Sequence, residues 1–269
     1  MLQVARLAPR HLADATDRVR AFFEAQLNDD GGGKDRAGNS DLYYTVFVLE
    51  GLIAMQQELP CERVTHYLQT FGDGAELDLV HLCCLARCWA AMPGPPPPGL
   101  ARNLERFRSQ DGGYAAETGA ASGTVYHGFM AVAAHQDIDS APADMDAVAE
   151  SIEQRPWEIT TVTAAAVTLL RYLGRDIPPA AAAFLLAQRH DDGGFLAVPG
   201  APMPDLLSTA TALHALAGLH VEIDFLRESC LDFIDTLWTG QGFCGNWADD
   251  VVDSEYSYYG LLALGHLSV

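Results

Sequence analysis

The chain has 269 residues, 49% of them hydrophobic, and 36 acidic against 16 basic side chains give it a formal charge of −20. A chain of this size can bury one large core or two small ones, and a repeat would favour the first. The acidic excess repels nucleic acid and anionic membrane surfaces and argues against both as partners; a basic peptide partner and plain solubility are each compatible with it. No signal-peptide-type run opens the sequence and no apolar run reaches ~18 residues, so no membrane span is expected and a cytoplasmic location is. Cys61, Cys83, Cys84, Cys88, Cys230 and Cys244 lack the spacing of a disulfide scaffold, which predicts reduced thiols. His81, Cys84 and Cys88 share one helix face, offering either metal ligands or small core side chains.

Helical spacing runs from Asp17 to Leu27 through Val19, Phe22 and Phe23, and Asn28-Asp29-Asp30-Gly31-Gly32-Gly33 stops it. Asn39-Ser40-Asp41 then caps a second helix carrying Leu42, Tyr43, Val46, Leu49 and Leu52. The same unit returns at Leu104 to Phe107, with Asp111-Gly112-Gly113-Tyr114 and a helix from Thr124 to Ala134. It returns at Phe184 to Gln188, with Asp192-Gly193-Gly194-Phe195 and a helix from Leu206 to Leu219, and finally at Phe233 to Leu237, with Gly240-Gln241-Gly242-Phe243. Gly32, Gly113 and Gly194 lie 81 residues apart, whereas Gly242 follows Gly194 by 48, so each long interval holds two units. The extra pairs fall at 61 to 91 and 144 to 173, around Phe71-Gly72-Asp73-Gly74 and Arg155-Pro156-Trp157-Glu158, making six helix pairs of about 45 residues.

No strand signal competes, so the fold class is all-α. Pro93 to Gly99 reads as a stiff surface connection or a polyproline ligand. The first and last pairs are as apolar as the middle ones, unlike the polar caps of an open solenoid. That predicts closure into a single α/α toroid over residues 1–269, with the second helix of each pair, rich in small residues at Thr161 to Ala166 and Thr209 to Ala212, forming the inner wall. The N-terminal ends of these helices then meet at one mouth.

Six Gln-x-x-Asp-Gly-Gly-Phe-type repeats to a barrel resemble the prenyltransferase and squalene-cyclase superfamily, and specifically the β subunits of protein farnesyl- and geranylgeranyltransferases. The resemblance spans nearly the whole chain. Gly242-Phe243-Cys244-Gly245-Asn246 through Asp253-Ser254-Glu255-Tyr256-Ser257 is similar to a family run, Gly-Phe-x-Gly-Arg-x-x-Lys-x-x-Asp-x-Cys-Tyr-Ser. Asp41-Leu42-Tyr43-Tyr44-Thr45 is similar to the family's Asp-x-Tyr-His-Thr. The resemblance implies transfer of a prenyl group from an isoprenoid diphosphate to a peptide or protein acceptor, at a zinc held by the Asp, Cys and His of these motifs. The need for an α subunit is left open.

Carried over, those ligands are Asp253, Glu255 and Tyr44, which makes these three the candidate catalytic residues. Two carboxylates and a phenol suit a harder ion than zinc, so a divalent cation, Mg or Zn, is expected on Asp253, Glu255 and Asp249, or none at all. The family's diphosphate-binding Arg and Lys correspond to Asn246 and to Asp249 or Asp250. Asp249-Asp250-Val251-Val252-Asp253 also spells a Mg-diphosphate pattern, or simply an acidic helix start. Around a central apolar cavity, Tyr43, Tyr126, His127, Trp157, Trp247, Tyr256 and Tyr259 are the candidate substrate-binding residues, because aromatic faces accept an isoprenoid chain and stabilise allylic cations. The alternatives are a non-catalytic isoprenoid- or peptide-binding scaffold and a terpenoid cyclase. For the last, Asp144-Met145-Asp146-Ala147 is an incomplete acid motif.

Overall fold

A computed structural model describes residues 1–153 and 155–269. In chain order the helices are α1 Leu2–Ala5, α2 Pro9–Leu12, α3 Thr16–Ala25, α4 Leu42–Ala54, α5 Cys61–Gln69, α6 Leu79–Ala90 and α7 Leu100–Glu105, followed by α8 Val125–Asp137, α9 Met145–Glu153, α10 Thr160–Tyr172, α11 Pro179–Ala187, α12 Leu206–Gly218, α13 Arg227–Thr236 and α14 Ser254–His266. Helices α4, α6, α8, α10, α12 and α14 each pack on the next, and α14 packs back on α4. The ring is therefore closed, an all-α toroid of six helix pairs. A two-stranded ribbon, Gly33–Lys34 against Ser40–Asp41, is the largest sheet among the described residues.

The inner helices begin where the sequence provides an acceptor. Asp41, Asp78, Thr124, Asp205 and Asp253 are extended residues whose side chains accept the backbone N–H three positions on, which satisfies an amide with no partner inside the helix. Helix α10 differs, because Ile159 stands at its cap position. All six inner helices follow outer ones, so they run the same way and their first turns meet at one end.

The Asp-Gly-Gly signature has a packing cause. Gly31, Gly112 and Gly193 have φ of +94°, +86° and +83°. A Cβ on Gly31 or Gly193 would lie 2.3 Å from Arg63 O or 2.0 Å from Ser229 O, on the next outer helix. Only glycine permits both that backbone and that approach. The turn is then clipped to the inner wall, since Gly33, Phe195 and Phe243 donate their N–H groups to the hydroxyls of Thr45, Thr209 and Ser257, each the fourth residue of its helix.

The short helix α1, which the sequence reading does not anticipate, packs against α14 and α4. Ala5 and Ala8 are fully buried there. All six cysteines are free thiols, and all but Cys61 are buried. His81 bonds Asp78 instead of joining Cys84 and Cys88.

Candidate functional site

The second residues of five inner helices, Tyr43, Tyr126, Thr161, Leu207 and Glu255, line the near end of a central cavity. Deeper walls add Phe47, Cys84, Phe129, Met130, Tyr258 and Tyr259, with small residues Ala164 and Ala165 on α10. The space open to the centre of a water-sized sphere is about 160 Å³, enough for several waters at the ~10–15 Å³ each requires. The expected small-residue wall is present on α10, whereas of Thr209 to Ala212 only Thr211 reaches the lumen.

Glu255 and Tyr43 meet across the closing seam of the ring, where the phenol donates to Oε1 at 2.6 Å. Burial raises the Glu255 pKa and the nearby Asp253 carboxylate adds to it, against the lowering by the Tyr43 bond. Burial also raises Tyr43, and it pushes Tyr126 up to about 12. The result is a carboxyl group with a raised pKa, bonded to a neutral phenol. Tyr43 stacks edge-on to Phe47, and Phe47 in turn faces Tyr259 at 5.6 Å. Such a wall offers π faces to an apolar chain or a developing cation.

Asp253, Asp249 and Tyr44 lie beside this cavity, outside its lining. Asp253, 3% exposed, caps α14 through Oδ1 and receives Arg36 Nε on Oδ2 at 2.8 Å. The same guanidinium gives Nη2 to Asp249 Oδ2 at 2.8 Å and lies 5.5 Å from the centre of the Tyr256 ring. Tyr44 is close enough to Asp253, Glu255 and Arg36 for all three charges to act on its phenol, whose pKa burial raises first. Thus the seam brings all three candidate catalytic residues together, with Arg36 among them.

That arrangement does not fit a metal. Both Asp253 oxygens are engaged, Asp249 is paired with Arg36, and Glu255 turns to Tyr43. No cluster of three or more His, Cys, Asp or Glu side chains capable of holding an ion occurs among the described residues. Where the sequence reading expects a cation on Asp249, Asp253 and Glu255, the Arg36 guanidinium lies between the first two.

Of the candidate substrate-binding residues, Tyr43, Tyr126 and Tyr259 line the cavity. Tyr256 lies under Arg36 and fills the space above Gly245. His127 bonds the Thr124 cap, Trp157 packs partly buried between the two halves of the core, and Trp247 faces outward on Phe233 with its N–H on Thr236. None of these four lines the cavity. The Asp144 carboxylate accepts the Ala147 N–H and Asp146 pairs with Arg175, and neither lines the cavity.

A model of the prenyltransferase alpha-alpha toroid domain matches residues 3–134 and 141–268. The chain belongs to this family. Among solved structures, a Candida albicans protein geranylgeranyltransferase-I complexed with GGPP is similar at 13% identity with a TM-score of 0.40, over 99% of this chain and 83% of that one. Comparison with the sequences of curated proteins found no match.

The sequence reading also missed charged residues in and beside the cavity. Arg36 sits in a polar loop, and its partners are 213 and 217 positions away. The available signal was the closed ring itself, which sets the first loop beside the last, together with a buried Asp that needs a cation. Glu50 and Arg87 line the far part of the cavity, and each is a lone charge in an otherwise apolar stretch of inner helix.

Proposed function

We propose that this toroid binds an isoprenoid in its central cavity and transfers the prenyl group to an acceptor at the mouth. The observation that carries the reading is the aromatic wall of Tyr43, Phe47, Tyr126, Phe129 and Tyr259 around the central cavity of a prenyltransferase-family toroid. The rings hold the chain by apolar area, and their faces, with the Glu255 carboxylate, stabilise positive charge on an allylic carbon. Arg36, paired with Asp249 and Asp253 at the seam, is the cation that a diphosphate leaving group would turn to. The zinc-thiolate route lacks its soft ligands in this chain, because Glu255 and Tyr44 replace them and Arg36 bonds Asp253.

The test is binding and turnover of labelled farnesyl and geranylgeranyl diphosphate, with and without Mg or Zn. Saturable binding that Tyr259→Ala weakens by about tenfold or more supports the cavity assignment; no binding under any condition refutes it. A second reading, a binding barrel without turnover, is favoured by the pairing of Arg36 with both acids. It is chosen if the label is retained but never transferred or released.

A further inference from the structure

The far end of the cavity is polar, which a hydrocarbon tail does not call for. Glu50 lies seven residues beyond Tyr43 on α4, or roughly 10 Å of helix rise from the mouth. There Arg87 bonds Glu50 through Nη2 and approaches Asp137 with Nε at 3.4 Å. Its side chain keeps 25% of its surface exposed and lines the lumen together with Glu50, Thr168 and His214. Tyr258 is 1% exposed and lines the same cavity; its hydroxyl lies beside Glu50 yet makes no hydrogen bond of normal geometry among the described residues. A buried phenol without a partner costs about as much as a lost hydrogen bond, so such a group is a sign that something absent from the protein alone completes it.

The geometry points to a second polar subsite, formed by Arg87, Glu50 and Tyr258, that takes a hydroxyl or carbonyl oxygen at the tail of the bound chain. The inference rests on the central cavity being the isoprenoid site. The preferred ligand is then bipolar and short: an oxygen at its head beside Glu255 and Tyr43, about two helical turns of apolar chain along the aromatic wall, and an oxygen at its tail. Arg87 and Tyr258 donate to that oxygen, and Glu50 accepts from it when it is a hydroxyl. A plain hydrocarbon tail reaching this point would remove water from three polar groups and return no hydrogen bond.

Calorimetric titration of the full chain with geraniol and with its tail-hydroxylated diol tests the subsite. The diol should bind roughly tenfold more tightly or better, the discrimination that one satisfied buried hydrogen bond supplies. Tyr258→Phe removes only the hydroxyl and should shrink that preference, read as the ratio of the two affinities within the same variant. Arg87→Met should abolish the preference, and Tyr258→Phe carries the test alone if that variant fails to fold. Equal affinities for the two alcohols, or a preference that survives Tyr258→Phe, overturns the subsite while leaving the cavity assignment standing. If neither alcohol nor any prenyl diphosphate binds, the cavity assignment itself falls, and the subsite with it.

Discussion

Each end of the cavity sets one arginine against two carboxylates, and the two ends use that arrangement differently. At the mouth, Arg36 comes from the first repeat while Asp249 and Asp253 come from the sixth, so the contact fastens the closing seam. Its side chain is 39% exposed and does not line the lumen. At the far end, Arg87 on α6 joins Glu50 on α4 to Asp137 on α8, spanning three successive inner helices, and it faces the cavity. Water can take over much of what a half-exposed guanidinium does, but it does so poorly for one enclosed by protein. The seam clasp therefore holds the ring shut, whereas the deep clasp gives the cavity its polar end.

The largest effect should separate them directly. Arg87→Met removes the guanidinium between Glu50 and Asp137 and should cost about 3 kcal/mol by chemical denaturation, the lower end for breaking a buried pair because the cavity admits some water. A cost below that of the equivalent change at Arg36 would reverse the comparison.

Acid should then act with opposite sign at the two ends. His214 and His266 hydrogen-bond each other at 3.0 Å, and burial holds them down to about 3 and about 4, below the usual 6.5. The unfolded chain therefore takes up protons that the native state refuses, and their contribution to stability is lost as pH falls from about 6.5 toward 4. Glu255 is raised, so the native state holds its proton to higher pH than the unfolded chain does, and the penalty for ionising it is relieved as pH falls through its folded pKa. Relative to wild type, His214→Gln should lessen the stability lost between about pH 7 and about pH 4.5, and Glu255→Gln should deepen it. Denaturation midpoints at the two pH values measure both, and equal slopes in all three proteins would refute the assignment.

How much of this was legible depended on whether the cause was local. The Asp-Gly-Gly turns, the cap at Asp41 and the six-fold count all follow from short-range chemistry, and the toroid follows from them. Tyr43, Tyr126 and Tyr259 reach the lumen because the first turns of parallel inner helices must converge. Tyr256, three positions before Tyr259, points instead at Arg36 and Gly245, a difference of facing that composition does not reveal. The acids near residue 253 resembled a metal site because their partner lay in another repeat. Only ring closure brings Arg36 to them.

The same seam allows a smaller test. Arg36→Met strands Asp253, but solvent reaches the vacated position and Tyr256 N–H still bonds the other oxygen, so about 1–2 kcal/mol should be lost. The loss should shrink in an Asp253→Asn background, which a double-mutant cycle reads as coupling. No coupling would mean that Arg36 merely rests on the surface.

The smallest effect concerns the one inner helix that breaks the pattern. Helix α10 lacks a side-chain cap at Ile159, which is 43% exposed, and its pair has no Gly-Gly turn. Its fourth residue, Thr163, stands where Thr45, Thr209 and Ser257 clip their turns, and its hydroxyl is buried without a partner among the described residues. The helix start is held instead by the following repeat, with Thr160 N–H on Ala197 O at 2.8 Å and its hydroxyl on Leu196 O. Ile159 already has the extended backbone of a cap residue. Ile159→Asp should therefore supply the missing acceptor without moving the chain and add about 0.5–1 kcal/mol to unfolding stability. Ile159→Asn should give most of the same gain, because the hydrogen bond and not the charge provides it. A gain seen with Asp alone would instead assign the effect to the helix dipole.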